Sequence, residues 1–169
     1  ALEAVFVNEP VNYVQALAEH YGAMGFPAYQ WTVNEDAPIT PLGKPLAQCR
    51  VALLTSGGIS EKQAKAWDPH ARNDFRLDSI PARTEANGFQ VHDSYYDHSD
   101  AEKDINTVFP LERLSELAAD GFIGEVAPRH WSGFMGRIYK RTQVLDVEAP
   151  KFAQLLADDD VDALVAIPA

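Results

Sequence analysis

A single cysteine, Cys49, in 169 residues excludes a disulfide framework and a Cys-rich zinc site within the chain. Basic residues are scarce too: 14 Lys and Arg stand against 25 Asp and Glu, a formal charge of −11. Such a surface repels nucleic acid and anionic lipid, which are bound chiefly through Lys and Arg. The longest basic patch is only Arg137-Ile138-Tyr139-Lys140-Arg141. No run reaches the roughly 18 apolar residues that a membrane-spanning helix needs. Ala1 to Val14 has no basic segment leading into an apolar one, so it does not read as a signal peptide. Repeats and low-complexity tracts are absent. These absences point to a cytoplasmic protein of a reducing compartment, with neither nucleic acid nor membrane as partner.

What is present is a globular composition, 46% hydrophobic and 10% aromatic, long enough for one ordinary domain. Residues 1–46 are rich in Pro and aromatics. Apolar groups at Val14, Leu17, Ala18 and Tyr21 keep helical spacing, and Gly22 and Gly25 end the helix. Pro27, Pro38, Pro41 and Pro45 keep the next stretch extended. This segment reads as a helix and an arm that packs on something else.

Residues 47–169 read as an α/β core. Val51–Thr55 is a short apolar run ending in Ser56-Gly57-Gly58, a buried strand feeding a turn. Phe89–His92 alternates as a second strand, Phe122–Ala127 makes a third and Asp162–Ile167 a fourth. Leu111, Leu114, Leu117 and Ala118 trace a helix closed by Gly121, and Glu148–Asp158 a second with Pro150 in its first turn. Strands and helices in alternation predict an open, mostly parallel sheet with flavodoxin- or Rossmann-like layering and an extended N-terminal arm. Functional groups then belong at the C-terminal ends of the strands. The last strand runs straight into Pro168-Ala169, so the core is expected to be completed beyond Ala169 or by another chain.

Two constellations lie beyond strand ends. His92 to Asp104 holds His92, Asp97, His98 and Asp100, groups suited to general acid–base work, since His titrates near neutrality and a carboxylate fixes its tautomer. The same groups suit helix capping, and His92, His98 and Asp100 leave open a metal-dependent or racemase-like chemistry. The second, Pro128 to Gly136, carries His130 among Trp131, Phe134 and Met135, either a pocket lining or an aromatic core patch. Thr55, Ser56, Gly57 and Gly58 offer amides to a carboxylate or phosphate, but no phosphate-loop Lys or G-x-G-x-x-G accompanies them. Cys49 precedes its strand, at the opposite edge, as a structural thiol.

Several segments together carry a resemblance: Pro10–Tyr13, Gly25–Trp31, Thr40–Leu46, Arg50–Gly58, Tyr96-Asp97-His98-Ser99-Asp100, Asp104-Ile105-Asn106, Phe109–Leu114, Ile123-Gly124 and His130–Gly136. The chain resembles the glycine/sarcosine/betaine reductase selenoprotein B family, which includes the D-proline reductase selenoprotein subunit. The resemblance implies an oligomeric reductase in which a selenocysteine or cysteine cleaves a C–N bond of a small amino-acid-like substrate and is reset by thiols. That chalcogen lies just after the strand that here reads Val161–Pro168, so the resemblance implies a nucleophile beyond Ala169 and no cofactor within this chain. It leaves His98 or His130 to protonate the departing amine, with Asp97 and Asp100 beside them. Thr55 to Gly58, Tyr96, Asn106, Phe134 and Met135 are left to bind substrate. A non-catalytic binding subunit is the alternative.

Overall fold

The computed structural model describes residues 12–28, 35–36 and 40–169. The chain divides into two compact units, Ala1–Thr40 and Pro41–Ala169. In the first, helix α1 spans Tyr13–Ala23, and its Asn12 cap accepts the Gln15 N–H through its side chain. No α1 residue is buried, and Tyr13, Val14 and Tyr21 stand exposed. The extended arm expected over residues 29–34 and 37–39 lies outside the described residues.

The second unit is α/β around a mostly parallel sheet. Strand β1 (Arg50–Thr55) lies at its centre. On one side it pairs in parallel with β7 (Ala163–Ile167), Val51 opposite Ala163 through Thr55 opposite Ile167. On the other side it pairs in parallel first with β5 (Glu125–Val126) and then with β6 (Arg129–Gly133). Beyond β6 lies β3 (Leu77–Pro81), antiparallel. The Asp162 N–H donates to the Arg50 carbonyl and the Ala127 N–H to the Val51 carbonyl. Even-numbered β1 residues therefore address β7, and odd-numbered ones β5 and β6.

Side chains alternate in the same way. Val51 and Leu53 join a core with Phe89, Phe109, Leu111 and Leu114, whereas Ala52 and Leu54 join Trp131, Phe152 and Leu155. Helix α3 (Leu111–Ala119) covers the first face, ending at Gly121 with φ +72°. The second face packs on α5 (Ala149–Asp158), entered from α4 (Arg141–Gln143) through a π-turn over Val144–Glu148.

Two expectations need correction. Phe89–His92 forms a strand, β4 (Phe89–Val91), but it pairs antiparallel with β2 (Ile59–Glu61) in a separate two-stranded sheet outside the main one. The segment expected as a single strand over Phe122–Ala127 contributes only Glu125-Val126. Most of that neighbour is β6, whose Arg-His-Trp-Ser-Gly composition hides a strand that is buried over four of its five residues.

The N-terminal edge of the sheet is held by charge. Arg129 grips Asp159 through two nitrogens at 2.6 and 3.1 Å, and Arg50 Nε meets Glu125 at 2.9 Å. Lys44 and the Arg50 N–H both reach Asp162, each at 2.7 Å. Cys49 is buried at this edge, its Sγ 3.4 Å from the Pro45 carbonyl.

Candidate functional site

At the opposite edge, β1, β6 and β7 end side by side, with Thr55 level with both Ser132 and Ile167. The turn leaving β1 is tied down bond by bond. Thr55 Oγ1 accepts the Gly57 N–H at 3.1 Å, and the Ser56 N–H donates to the Ile167 carbonyl at 3.2 Å. The Ala169 N–H in turn donates to Ser56 Oγ at 3.3 Å. The end of β7 is thus seated on the Ser56–Gly58 turn.

Gly58 joins this turn to a second segment. Its φ is +65°, and a Cβ there would collide with the His92 carbonyl, so only glycine fits. The His92 N–H donates to the Gly58 carbonyl at 2.9 Å. Just beyond, Asp93 is only 8% exposed and accepts the Tyr95 N–H at 2.7 Å. The Tyr96 hydroxyl donates to the Gly57 carbonyl at 2.8 Å. Burial, reinforced by the Asp93 charge, pushes the Tyr96 phenol up to about 12, so it remains a proton donor at neutral pH. Thr55, Ser56, Gly57, Gly58 and Tyr96 therefore do come together, joined by His92, Asp93 and Ala169. Sequence reasoning misses Asp93, because it is one of four Asp in a polar run with nothing to set it apart.

The other sequence-derived candidates fall elsewhere. His98 is half-buried, its ring edge-on to Tyr96 at 6.1 Å and its Nδ1 2.9 Å from Glu102 Oε1, so it borders the cluster through Tyr96. Asp97 is exposed at the start of α2 (Ser99–Lys103), where the Ser99 N–H holds its carboxyl below the usual carboxylate range. Asp100 is exposed on the same helix and pairs with Lys103 at 3.0 Å.

The Asn106 amide nitrogen donates to Asp104 and Glu112, and its oxygen accepts the Glu112 N–H at the start of α3. It is a cap residue, with both ends of its amide committed. Phe134 stacks edge-on with Phe152 at 6.0 Å and belongs to the apolar cluster under α5. Met135 is buried in the turn after β6.

His130 belongs to the sheet interior. It lies within β6, wholly buried, and its Nδ1 accepts the Leu53 N–H at 3.0 Å. Burial pushes its pKa down to about 4, so at neutral pH it is an uncharged ring with its proton on Nε2. A sheet-interior ring in that state is a structural acceptor and a poor proton donor to a departing amine. The amide cradle is reduced as well. Ser56 and Gly57 commit their N–H groups internally, leaving Gly58 as the turn amide without an acceptor among the described residues.

Among the described residues, no three of His, Cys, Asp and Glu converge to hold a metal ion. None of the described helices is long and apolar enough to cross a membrane. Two open hollows of about 400 and 470 Å³ are lined by Glu61, Arg83 and Glu85 and by Tyr139, Arg141 and Asp146 respectively, neither including a residue of this edge.

The sequence profile of the glycine/sarcosine/betaine reductase selenoprotein B family matches residues 24–168. This chain belongs to that family. It is 34% identical over 126 residues to the D-proline reductase subunit gamma of Acetoanaerobium sticklandii, covering 75% of this chain and 51% of that protein. It is 28% identical over 141 residues to the glycine reductase complex component B subunit gamma of Symbiobacterium thermophilum (76% of this chain, 30% of that one). The sarcosine reductase complex component B subunit beta of Peptoclostridium acidaminophilum is 28% identical over 151 residues (81% and 32%). The family member thus spans about half the length of these relatives or less. No solved structure matches it.

Proposed function

We propose that this selenoprotein B family chain is part of a cytoplasmic reductase-complex component that cleaves a C–N bond in a small amino-acid-like substrate. The observation that carries the reading is the junction of β7 with the Ser56–Gly58 turn and Tyr96, at the sheet edge where parallel α/β folds place their chemistry. Its one cysteine is buried at the other end of β1, so the selenol or thiol is supplied from outside these residues. When present, that group is the nucleophile that displaces the amine, and thiols reset it. Tyr96 holds the turn and donates a hydrogen bond, His98 returns a proton to the leaving amine, and the Gly58 N–H meets a substrate carboxylate.

A second reading, a binding subunit without turnover, is favoured by the burial of its one cysteine, Cys49, at the far end of β1. One experiment separates the two. The complete gene product, assembled with its complex, is assayed for dithiol-dependent consumption of D-proline, glycine, sarcosine and betaine. Turnover of one of them that falls at least about tenfold in Tyr96→Phe, with the melting temperature nearly kept, supports the first reading. Ligand binding without turnover supports the second, and neither binding nor turnover overturns both.

A further inference from the structure

Among the described residues, β3 and β7 both lie at an edge of the sheet, and they are built differently. On β3, Leu-Asp-Ser-Ile-Pro carries Asp78 and Pro81, a charge and a missing donor that discourage further pairing. On β7, Ala-Leu-Val-Ala-Ile carries no charge, no proline and no bulge. Five apolar residues in a row mark a strand covered on both faces and paired on both sides. Yet Leu164 is 37% exposed and Val165, on the opposite face, 45%. The Ile167 carbonyl that accepts the Ser56 N–H turns the odd-numbered β7 residues toward β1, so alternation directs the N–H groups of Leu164 and Ala166 away from it, where no described residue accepts them.

We propose that β7 is an interior strand of the complete protein, paired on its open edge with a further parallel strand from downstream in the same polypeptide. The occupant is argued from two facts. The family relative with 34% identity is about twice as long as the stretch it shares with this chain, so it carries polypeptide beyond that stretch, enough for a further strand and crossover. A parallel neighbour also needs a crossover of roughly a dozen residues or more, usually a helix, and such a helix packs on a sheet face. One added strand-and-helix unit would therefore satisfy the edge and cover the exposed apolar side chains together. A second copy of the chain would pair β7 with β7 but bring no crossover to cover a face.

The test is hydrogen exchange read at single amides in the complete product of this gene, isolated from its own source. The expected result is that Leu164 and Ala166 exchange at least about a hundredfold more slowly than open amides, as slowly as Ala163 and Val165. This protection should persist on dilution and without other subunits. Fast exchange at Leu164 and Ala166 would overturn the proposal. So would protection that fades on dilution (pairing between copies), protection that needs a separately purified subunit, or a natural product ending at Ala169. As a second readout, Val165→Lys should lower the melting temperature of the complete product; an unchanged temperature counts against the added strand.

Discussion

His130 Nδ1 accepts the Leu53 N–H at 3.0 Å, closing a gap in the central sheet with a side chain where a carbonyl would ordinarily stand. Val51 pairs with Val126 and Leu54 with Trp131, so three steps along β1 face five along its neighbour. The excess bulges out around Ala127-Pro128, and the odd-numbered Leu53 N–H is left facing it. Without the imidazole, a fully buried donor would have no partner.

His130→Ala should therefore weaken the fold itself, by about 3 kcal/mol from the orphaned amide and the lost ring volume together. Urea denaturation checks this. Near-native stability with lost turnover would return the residue to a catalytic role.

The same bond sets a pH dependence. Burial pushes His130 down from 6.5 to about 4, so folding favours the neutral ring. The stability it contributes is full above about pH 6.5 and is lost as the pH falls through about 4, because the unfolded chain takes up the proton first. The shift corresponds to about 3 kcal/mol. Denaturation midpoints between pH 7 and pH 4 should fall more steeply in the wild type than in a His130→Ala chain, and parallel slopes would contradict the assignment.

Gly58→Ala should be among the most damaging single substitutions at the proposed edge. The left-handed φ and the close approach of the His92 carbonyl together exclude a methyl group unless the two segments part. A loss of about 2 kcal/mol or more is expected. Separation of the segments should also expose Tyr96, visible as a phenol titrating nearer its ordinary value of 10.0 than the native 12 or so.

Asn106→Ala tests the cap against a substrate role. Loss of the bonds to Asp104 and the Glu112 N–H should reduce stability by about 1 kcal/mol. In the assembled enzyme, KM should stay within about twofold of the wild type. Asp100→Asn, on the exposed face of α2, should alter stability by less than about 0.5 kcal/mol.

Much of the element order was legible because it is written in local periodicity. The 3.6-residue spacing of Leu111, Leu114 and Ala118 and the uniform apolar run of β1 signal one helix and one buried strand without reference to the rest of the chain. Proximity of Tyr96 to the glycine turn was anticipated only in outline, through the rule that strand ends gather function. The role of Asn106 was open because a capping amide and a ligand-binding amide have the same sequence signature. The loop from Glu61 to Arg76 was not legible at all. It is fixed by Arg76 stacked 3.7 Å over the Trp67 ring and by the Trp67 indole N–H on the Ile59 carbonyl, pairings with no periodic signal.

By itself, then, the sequence determined the α/β class and the family. Each of those comes from composition, short-range pattern or motif. The tertiary structure alone decided that β4 leaves the main sheet to pair with β2, that Arg129–Gly133 enters the main sheet, and that His130 serves the backbone. Those outcomes depend on register between residues 28 (Glu61 and Phe89) to 77 (Leu53 and His130) positions apart, where one bulge changes which donor lacks an acceptor. No local window of sequence contains that information.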